Sequence, residues 1–441
     1  MDRRPQAEHS IKLPEPRASF GLGGHSVHHS YVEIYFYRGG PHGRHDETCS
    51  DARCWLSSFR IHREFIAVCL HRNARRSNGG DGTEEIVPFY YWIDGSKESG
   101  KRIASGLLRL KEGFEEVGIP KRDASDSLLL ATWNIREFDS PSYGVRGQEP
   151  IYYIAEIVSR FDLVAIQEVR EDLTALNELM RYLGGWWKYI MTDVTEGTRG
   201  NRERMAFVYD SRKISFGGLA GEVVIPEIRK SGSLFEPAKQ LARTPFMVGL
   251  KAGWFRFAIC TTHILYGESV ADDPERLEEI TVLASFLADR TKEEHAWAKN
   301  MILLGDFNIF DTSDETMNAI TSAGFVVPKQ LQVLPSNALK TNHYDQIAFI
   351  APDLKDKLEL NRAGVFDYYQ YVYRDQDEAL YADDMGEAYL ETSEGKERDE
   401  ASRSRYYKSY WRTYQMSDHL PMWIELRTDF GKEYLSEKVG G

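Results

Sequence analysis

The chain has 441 residues, of which 42% are hydrophobic and 28% charged, with a formal net charge of −13. That balance excludes a disordered or fibrous chain, and the length predicts one large domain with an extension, or two domains. No apolar run reaches the roughly 18 residues of a membrane span, so no membrane insertion is expected. The first residues lack the apolar segment of a secretory signal, and four cysteines are too few for a disulfide scaffold. A reducing cytoplasm is therefore the expected location. The acidic balance argues against a broad nucleic-acid footprint, but a compact phosphodiester site built around a divalent cation remains compatible with it.

Residues 1–86 hold 8 of the 12 histidines, 3 of the 4 cysteines, 11 arginines and 1 lysine. With so few apolar residues they read as a poorly ordered or non-native extension, Val87 being an alternative start. A metal site at His45, Cys49, Cys54, Cys69 and His71 is a third reading, on a spacing unlike the usual zinc patterns. Residues 87–126 form a linker carrying an amphipathic helix over 98–118, with Ile103, Leu107, Leu110, Phe114 and Val117 at helical spacing. Strands are then predicted at Leu128–Trp133, Leu163–Ile166, Met205–Tyr209, Phe246–Leu250, Phe255–Thr261, Met301–Leu304, Gln346–Ile350 and Pro421–Leu426. Helices fall at Ile151–Phe161, at Leu173–Leu183 with Gly184 as cap, and from Asp273-Pro274 to about 294. Several strands are followed by turns rather than helices, which favours a mixed-sheet sandwich with helices outside.

The informative residues stand where these strands end. Asn134 follows the first strand and Gln167-Glu168 the second. His263 follows Phe257–Thr262, and Gly305-Asp306-Phe307-Asn308 follows Met301–Leu304. Asp345 precedes Gln346–Ile350, and Ser417-Asp418-His419 precedes Pro421–Leu426. Strand ends are where a rigid scaffold places functional groups. Glu168 is a hard oxygen ligand suited to Mg²⁺ or Mn²⁺. Asn134 and Asn308 can position a phosphate without adding charge. His419 can take a proton from water if a carboxylate such as Asp345 orients it, and His263 can donate to a phosphoryl oxygen. A glycine-rich P-loop and G-x-S-x-G are both absent, which leaves serine-hydrolase chemistry unsupported.

At Ala131-Thr132-Trp133-Asn134-Ile135, Ala165-Ile166-Gln167-Glu168-Val169, Thr262-His263, Leu304-Gly305-Asp306-Phe307-Asn308, Tyr344-Asp345-Gln346-Ile347 and Ser417-Asp418-His419-Leu420-Pro421, the chain resembles the endonuclease/exonuclease/phosphatase superfamily. This is the fold of DNase I-like and exonuclease III-like enzymes. The resemblance covers about 300 residues, from 127 to 427, and ATWNIREFDS with MSDHLPMWIEL looks like an uncharacterised bacterial branch. It implies an α/β fold, a four-layered sandwich of two packed mixed sheets flanked by helices, in a domain spanning 127–430. It also implies Mg²⁺-dependent (or Mn²⁺-dependent) hydrolysis of phosphate esters. Carried over, Glu168, Asn134 and Asp418 are metal ligands. His419 is the base, oriented by Asp345, while His263, Asp306 and Asn308 complete the catalytic set. Arg243 and Asn134 contact substrate.

The leading reading is an endonuclease that hydrolyses DNA by in-line attack of a His-activated water, DNA being preferred to RNA. The alternative is a phosphomonoesterase, or an inositol or phospholipid phosphatase, on the same site. A third reading, a catalytically silent binding module, is opposed by the intact Glu168, Asp306, Asn308, Asp345 and His419 set. The chain departs from the pattern in a long insertion at about 353–414, where ten tyrosines fall between 361 and 414. Its last part interleaves Arg403, Arg405, Lys408 and Arg412 with aromatics. It reads either as a packed helical cover for the groove or as a nucleic-acid contact.

Overall fold

The computed structural model describes residues 88–122, 126–140, 146–196, 199–226, 228–229, 235–236, 239–351 and 360–440. The extension at 1–86, with its candidate metal ligands, lies outside them.

Helix α1 (Glu98–Glu116) turns Ile103, Leu107, Leu110 and Phe114 inward, as their spacing predicts. There follow β1 (Ser127–Phe138), α2 (Gln148–Ser159), β2 (Leu163–Val169), α3 (Thr174–Leu183), β3 (Trp187–Met191), β4 (Arg204–Asp210) and β5 (Ile214–Glu222). A two-residue pair, β6 (Ile228–Arg229) and β7 (Phe235–Glu236), precedes β8 (Phe246–Ala252) and β9 (Phe255–His263). Then come α4 (Pro274–Lys292), β10 (Met301–Asp306), α5 (Glu315–Ser322), β11 (Asp345–Ile350), β12 (Leu360–Val365) and β13 (Met422–Arg427). Helix α4 starts as its sequence predicts: the Asp273 carboxylate accepts from the Arg276 N–H, and Pro274 occupies the first turn.

The strands form a six-stranded sheet ordered β12-β13-β1-β2-β4-β3 and a five-stranded sheet ordered β11-β10-β9-β8-β5. Both are mixed: β1 runs parallel to β2 and antiparallel to β13, while β10 runs parallel to β9 and antiparallel to β11. Successive strand residues point to opposite faces. Leu128, Leu130, Leu163, Ala165, Phe257, Ile259, Ile302 and Leu304 accordingly fill the space between the sheets. Leu129, Ala131, Val164 and Ile166 face α1, α2 and α3 on the other side of the first sheet. Ala258, Cys260, Met301 and Leu303 face α4 and α5 behind the second. Helix, sheet, sheet, helix is the four-layered sandwich expected from the sequence.

Leu360–Val365 sits inside the stretch read as insertion, yet it pairs antiparallel with β13 as the sheet edge. The departure therefore begins at Phe366. From there to Met416 the chain makes short helices at Asp375–Tyr381, Ala382–Met385, Glu387–Leu390, Glu400–Tyr406 and Arg412–Gln415, with a π-helical turn at Tyr407–Trp411. Tyr368, Tyr369, Tyr373, Tyr381 and Tyr407 are buried against the first sheet's helical layer.

Candidate active site

The alternation that builds the core also builds the site. Each inward-facing row continues past its last apolar residue into a polar one at the same end of the sandwich. Leu128-Leu130-Thr132 leads to Asn134, Leu163-Ala165 to Gln167, Phe257-Ile259-Thr261 to His263, and Ile302-Leu304 to Asp306. Asp345 extends the row of Ile347. Register aligns them across strands: Asp306 stands opposite His263 on one side and Asp345 on the other. Below them Gln167 bridges the two sheets, donating through Nε2 to Thr261 Oγ1 at 2.8 Å and Thr132 Oγ1 at 3.1 Å.

Asp306 is at the centre and almost wholly buried. Its Oδ2 accepts from Asn134 Nδ2 at 2.9 Å, and lies 3.5 Å from His263 Nε2 and 3.6 Å from His419 Nε2. Its Oδ1 accepts from the Asn308 N–H at 2.9 Å. Asn308 Nδ2 donates to the Ile264 carbonyl, tying the tip to β9. Each imidazole is held from behind by a buried carboxylate. His419 Nδ1 is 2.8 Å from Asp345 Oδ2, and His263 Nδ1 is 2.8 Å from Glu203 Oε2. Gly305 makes the close packing feasible: its φ is +133°, and a Cβ there would lie 2.1 Å from the Thr262 carbonyl oxygen. Glu168 and Asn308 also have positive φ, 63° and 53°. For Glu168 this costs about 1–2 kcal/mol, a strain typical of functional sites.

The charges act on each other strongly. Burial opposes ionisation of Glu203, but His263 and Arg243 outweigh it and bring its pKa down to about 2. Burial and Arg243 oppose protonation of His263, yet Glu203 and Asp306 prevail and raise its pKa. Burial opposes the charge on His419 too, but Asp345 and Asp306 raise it well above the usual histidine range. Burial raises Asp345, with His419 acting against it. Glu168 is likewise pushed up, first by burial and then by Glu203.

The residues expected from sequence meet here with one qualification. Asn134, Glu168, His263, Asp306, Asn308, Asp345 and His419 form one cluster, the two imidazoles joining it at ion-pair distance from Asp306. Arg243 joins through Glu203, its Nε 3.0 Å from Oε2. Asp418 stands at the rim, 45% exposed and 3.8 Å from Arg136 Nη1. Glu203 was not expected. It stands just before β4, after Asn201-Arg202 and two residues ahead of the inward-facing Met205-Phe207-Tyr209 row, and beside a turn its charge did not stand out. Arg170, 3.7 Å from Glu203, and Arg136 were missed for the same reason.

Among the described residues, no three His, Cys, Asp or Glu side chains form a ready metal cage. The donor set nevertheless fits a hard cation that keeps much of its water. Glu168 is fixed from behind by Asn134 Nδ2 at 2.9 Å and the Glu137 N–H at 2.7 Å. Asn134 Oδ1 is buried without a partner beside it. A carboxylate forced toward its neutral form next to an unsatisfied amide oxygen is what a divalent cation would relieve.

No family model matches the chain. It is 30% identical over 187 residues to a "Deoxyribonuclease" of Thioalkalivibrio sp. (strain K90mix), covering 41% of this chain and 46% of that protein. It thus spans less than half the length of that curated relative. It is 26% identical over 277 residues to bovine "Deoxyribonuclease-1", covering 60% of this chain and 89% of that protein. Among solved structures, an endonuclease/exonuclease/phosphatase family protein from Bacteroides thetaiotaomicron aligns at 18% identity and a TM-score of 0.44, over 69% of this chain and 98% of that one. The human Nocturnin catalytic domain aligns at 14% and 0.42, over 70% and 96%. The four-layered sandwich and the residues at its open end define a DNase I-like α/β protein. With the sequence relatives, they agree with the resemblance to the endonuclease/exonuclease/phosphatase superfamily read from the motifs.

Proposed function

We propose that this chain is a divalent-metal-dependent phosphodiesterase that hydrolyses DNA as an endonuclease. The observation that carries the reading is the pair of carboxylate-backed imidazoles, His419–Asp345 and His263–Glu203, whose Nε2 atoms converge on Asp306. In-line hydrolysis needs one group to take a proton and another to give one. In this reading His419 takes the proton of the attacking water as the new P–O bond forms, and Asp345 stabilises the imidazolium. His263, kept protonated by Glu203, gives a proton to the leaving oxygen as the old P–O bond breaks. Asp306 and Asn308 hold the water and the phosphoryl oxygens between them, and Arg243 with Asn134 contacts the phosphate. Asn134 and Glu168, with Asp418 at the rim, would hold Mg²⁺ or Mn²⁺, which supplies positive charge for the phosphate oxygens. Because His419 must be neutral to act, the rate should rise with pH through its raised pKa.

The two deoxyribonuclease relatives support DNA over a phosphate monoester. Among the described residues no helix is long and apolar enough to cross a membrane. A cytoplasmic location belongs to the same proposal.

Plasmid nicking by purified protein in Mg²⁺ or Mn²⁺ tests the reading. Nicking that EDTA abolishes and His419→Ala reduces by about 10²–10⁴ is the expected result. A folded, metal-supplied protein that leaves plasmid intact and releases phosphate from monoesters would overturn it in favour of a phosphatase.

A further inference from the structure

The last helical segment of the insertion carries two rows of aromatic residues, and of the outer row Tyr406 and Tyr414 are half-buried and Tyr410 exposed. Tyr407 and Trp411 turn inward, their rings 6.1 Å apart, and Tyr407 is fully buried. Tyr406, Tyr410 and Tyr414 form a separate line along the same helical segment. Tyr406 and Tyr410 stack at 5.4 Å, and Tyr410 meets Tyr414 edge-on at 4.9 Å. Core packing does not explain Tyr410, which is 44% exposed. The π-helical turn Tyr407–Trp411 sits within this line. Its wider turn counteracts the drift that about 3.6 residues per turn gives a row at i, i+4, i+8, and such turns concentrate at functional sites.

Both ends of the line are informative. At one end the Arg136 guanidinium lies 3.9 Å over the Tyr414 ring, and its Nη2 donates to the Tyr414 hydroxyl at 2.8 Å. Arg136 is two residues beyond Asn134 on β1, and it faces Asp418 beside His419. At the other end the Arg398 guanidinium lies 4.9 Å over Tyr406, at a cavity of about 730 Å³ lined also by Arg405, Glu387 and Glu391. That volume lies in the ~300–1,000 Å³ range of small-ligand sites, room for unstacked bases. Aromatic faces punctuated by guanidinium groups hold single-stranded nucleic acid, whose bases are free to stack. A duplex hides those faces.

We infer that the Tyr406–Tyr410–Tyr414 line is a base-stacking track that leads an unpaired strand of DNA to the active site, with Arg136 receiving the phosphate nearest the reaction. The inference rests on the DNA reading above, and it adds a preference for single-stranded or frayed substrate. Two glutamates balance the two arginines at the cavity. Stacking rather than charge must therefore supply the binding, and its salt dependence is shallow for a nucleic-acid contact.

Fluorescence anisotropy of the full chain in EDTA, with a fluorescein-labelled thymidine oligonucleotide of about 20 residues, alone or paired with its complement, tests this. The single strand should bind more tightly than the duplex. Tyr410→Ala should weaken the single strand about 5- to 100-fold and leave the duplex unchanged, while Tyr410→Trp restores binding. Tyr410 is exposed, so both variants should keep the wild-type melting temperature. Unchanged single-strand binding by Tyr410→Ala, or equal loss on both substrates, would overturn the track. Plasmid nicking read alongside separates the two proposals. Nicking by the wild type together with no Tyr410 effect on single-strand binding sinks the track alone, and Tyr410-dependent binding without cleavage sinks the nuclease reading alone.

Discussion

Glu203→Gln tests the site most sharply, because it keeps the shape of a nearly buried side chain and removes only its charge. Glu203 accepts from His263 Nδ1 at 2.8 Å and Asn201 Nδ2 at 2.5 Å, and lies 3.0 Å from Arg243 and 3.7 Å from Arg170. Glutamine removes the charge these cations share, leaving Asp306 for His263 and Glu137 for Arg170, and turns an amide donor toward one of them. Breaking a buried ion pair on one side costs about 3–5 kcal/mol. At roughly 2–4 °C per kcal/mol, the melting temperature at neutral pH should fall by about 6–20 °C. The pH dependence follows from the direction of each shift. The folded pKa of Glu203 is depressed from 4.5 to about 2, so its contribution is present above 4.5 and is lost as pH falls toward 2. The gap between wild type and variant should therefore narrow on acidification. His263 has the opposite sign: its raised pKa stabilises the fold below 6.5, and that contribution is lost as pH rises through the raised value. In the variant, burial and Arg243 remain to lower it, so the imidazole should titrate at lower pH. Urea denaturation at neutral pH and near pH 3, with NMR titration of the histidines, reads both effects. A variant as stable as wild type at neutral pH, or a gap of constant size at both pH values, would refute the reasoning.

Other residues yield separate tests. The Tyr368 hydroxyl shares its proton between the Ser417 carbonyl at 2.8 Å and the His419 carbonyl at 3.0 Å, which keep Tyr369 and Trp133 as donors, so Tyr368→Phe should cost about 0.5–1.5 kcal/mol by denaturation. It should also lower kcat more than it raises KM, since it loosens the segment that carries His419, the base in the proposed mechanism. Gly305→Ala forces a Cβ against the Thr262 carbonyl at an unfavourable φ, and should abolish soluble folded protein or its cooperative melt. For the wild type, Mg²⁺ at about 100 times its Kd should raise stability by roughly 2.7 kcal/mol, and Glu168→Gln should not respond. An equal response would show that the cation binds elsewhere.

Much of this protein was legible before folding was considered. Central strands are buried on both faces, so Leu128–Trp133, Phe255–Thr261 and Met301–Leu304 stand out as apolar runs. A polar residue ending such a run is conspicuous, which is why Asn134, His263, Asp306, Asp345 and His419 could be named. The edges were not legible. Strand β5 buries little beyond Ile214, and β3 little beyond Trp187, so neither has an apolar run to read. Strand β12 is hidden for a different reason: it pairs with β13 across about sixty intervening residues. Glu203 gains its meaning only because β4 and β9, in different sheets, bring it to His263. The ten tyrosines of the insertion are chemically alike, and local sequence contains nothing that separates Tyr407 from Tyr410. Burial against Tyr381, Trp411 and the Arg374 carbonyl decides for one and solvent for the other. Periodicity is a local property, and the chain wrote its core and the ends of its central strands in it. The partners of buried charges and the faces of aromatic residues depend on contacts distant in sequence, which only the packed molecule supplies.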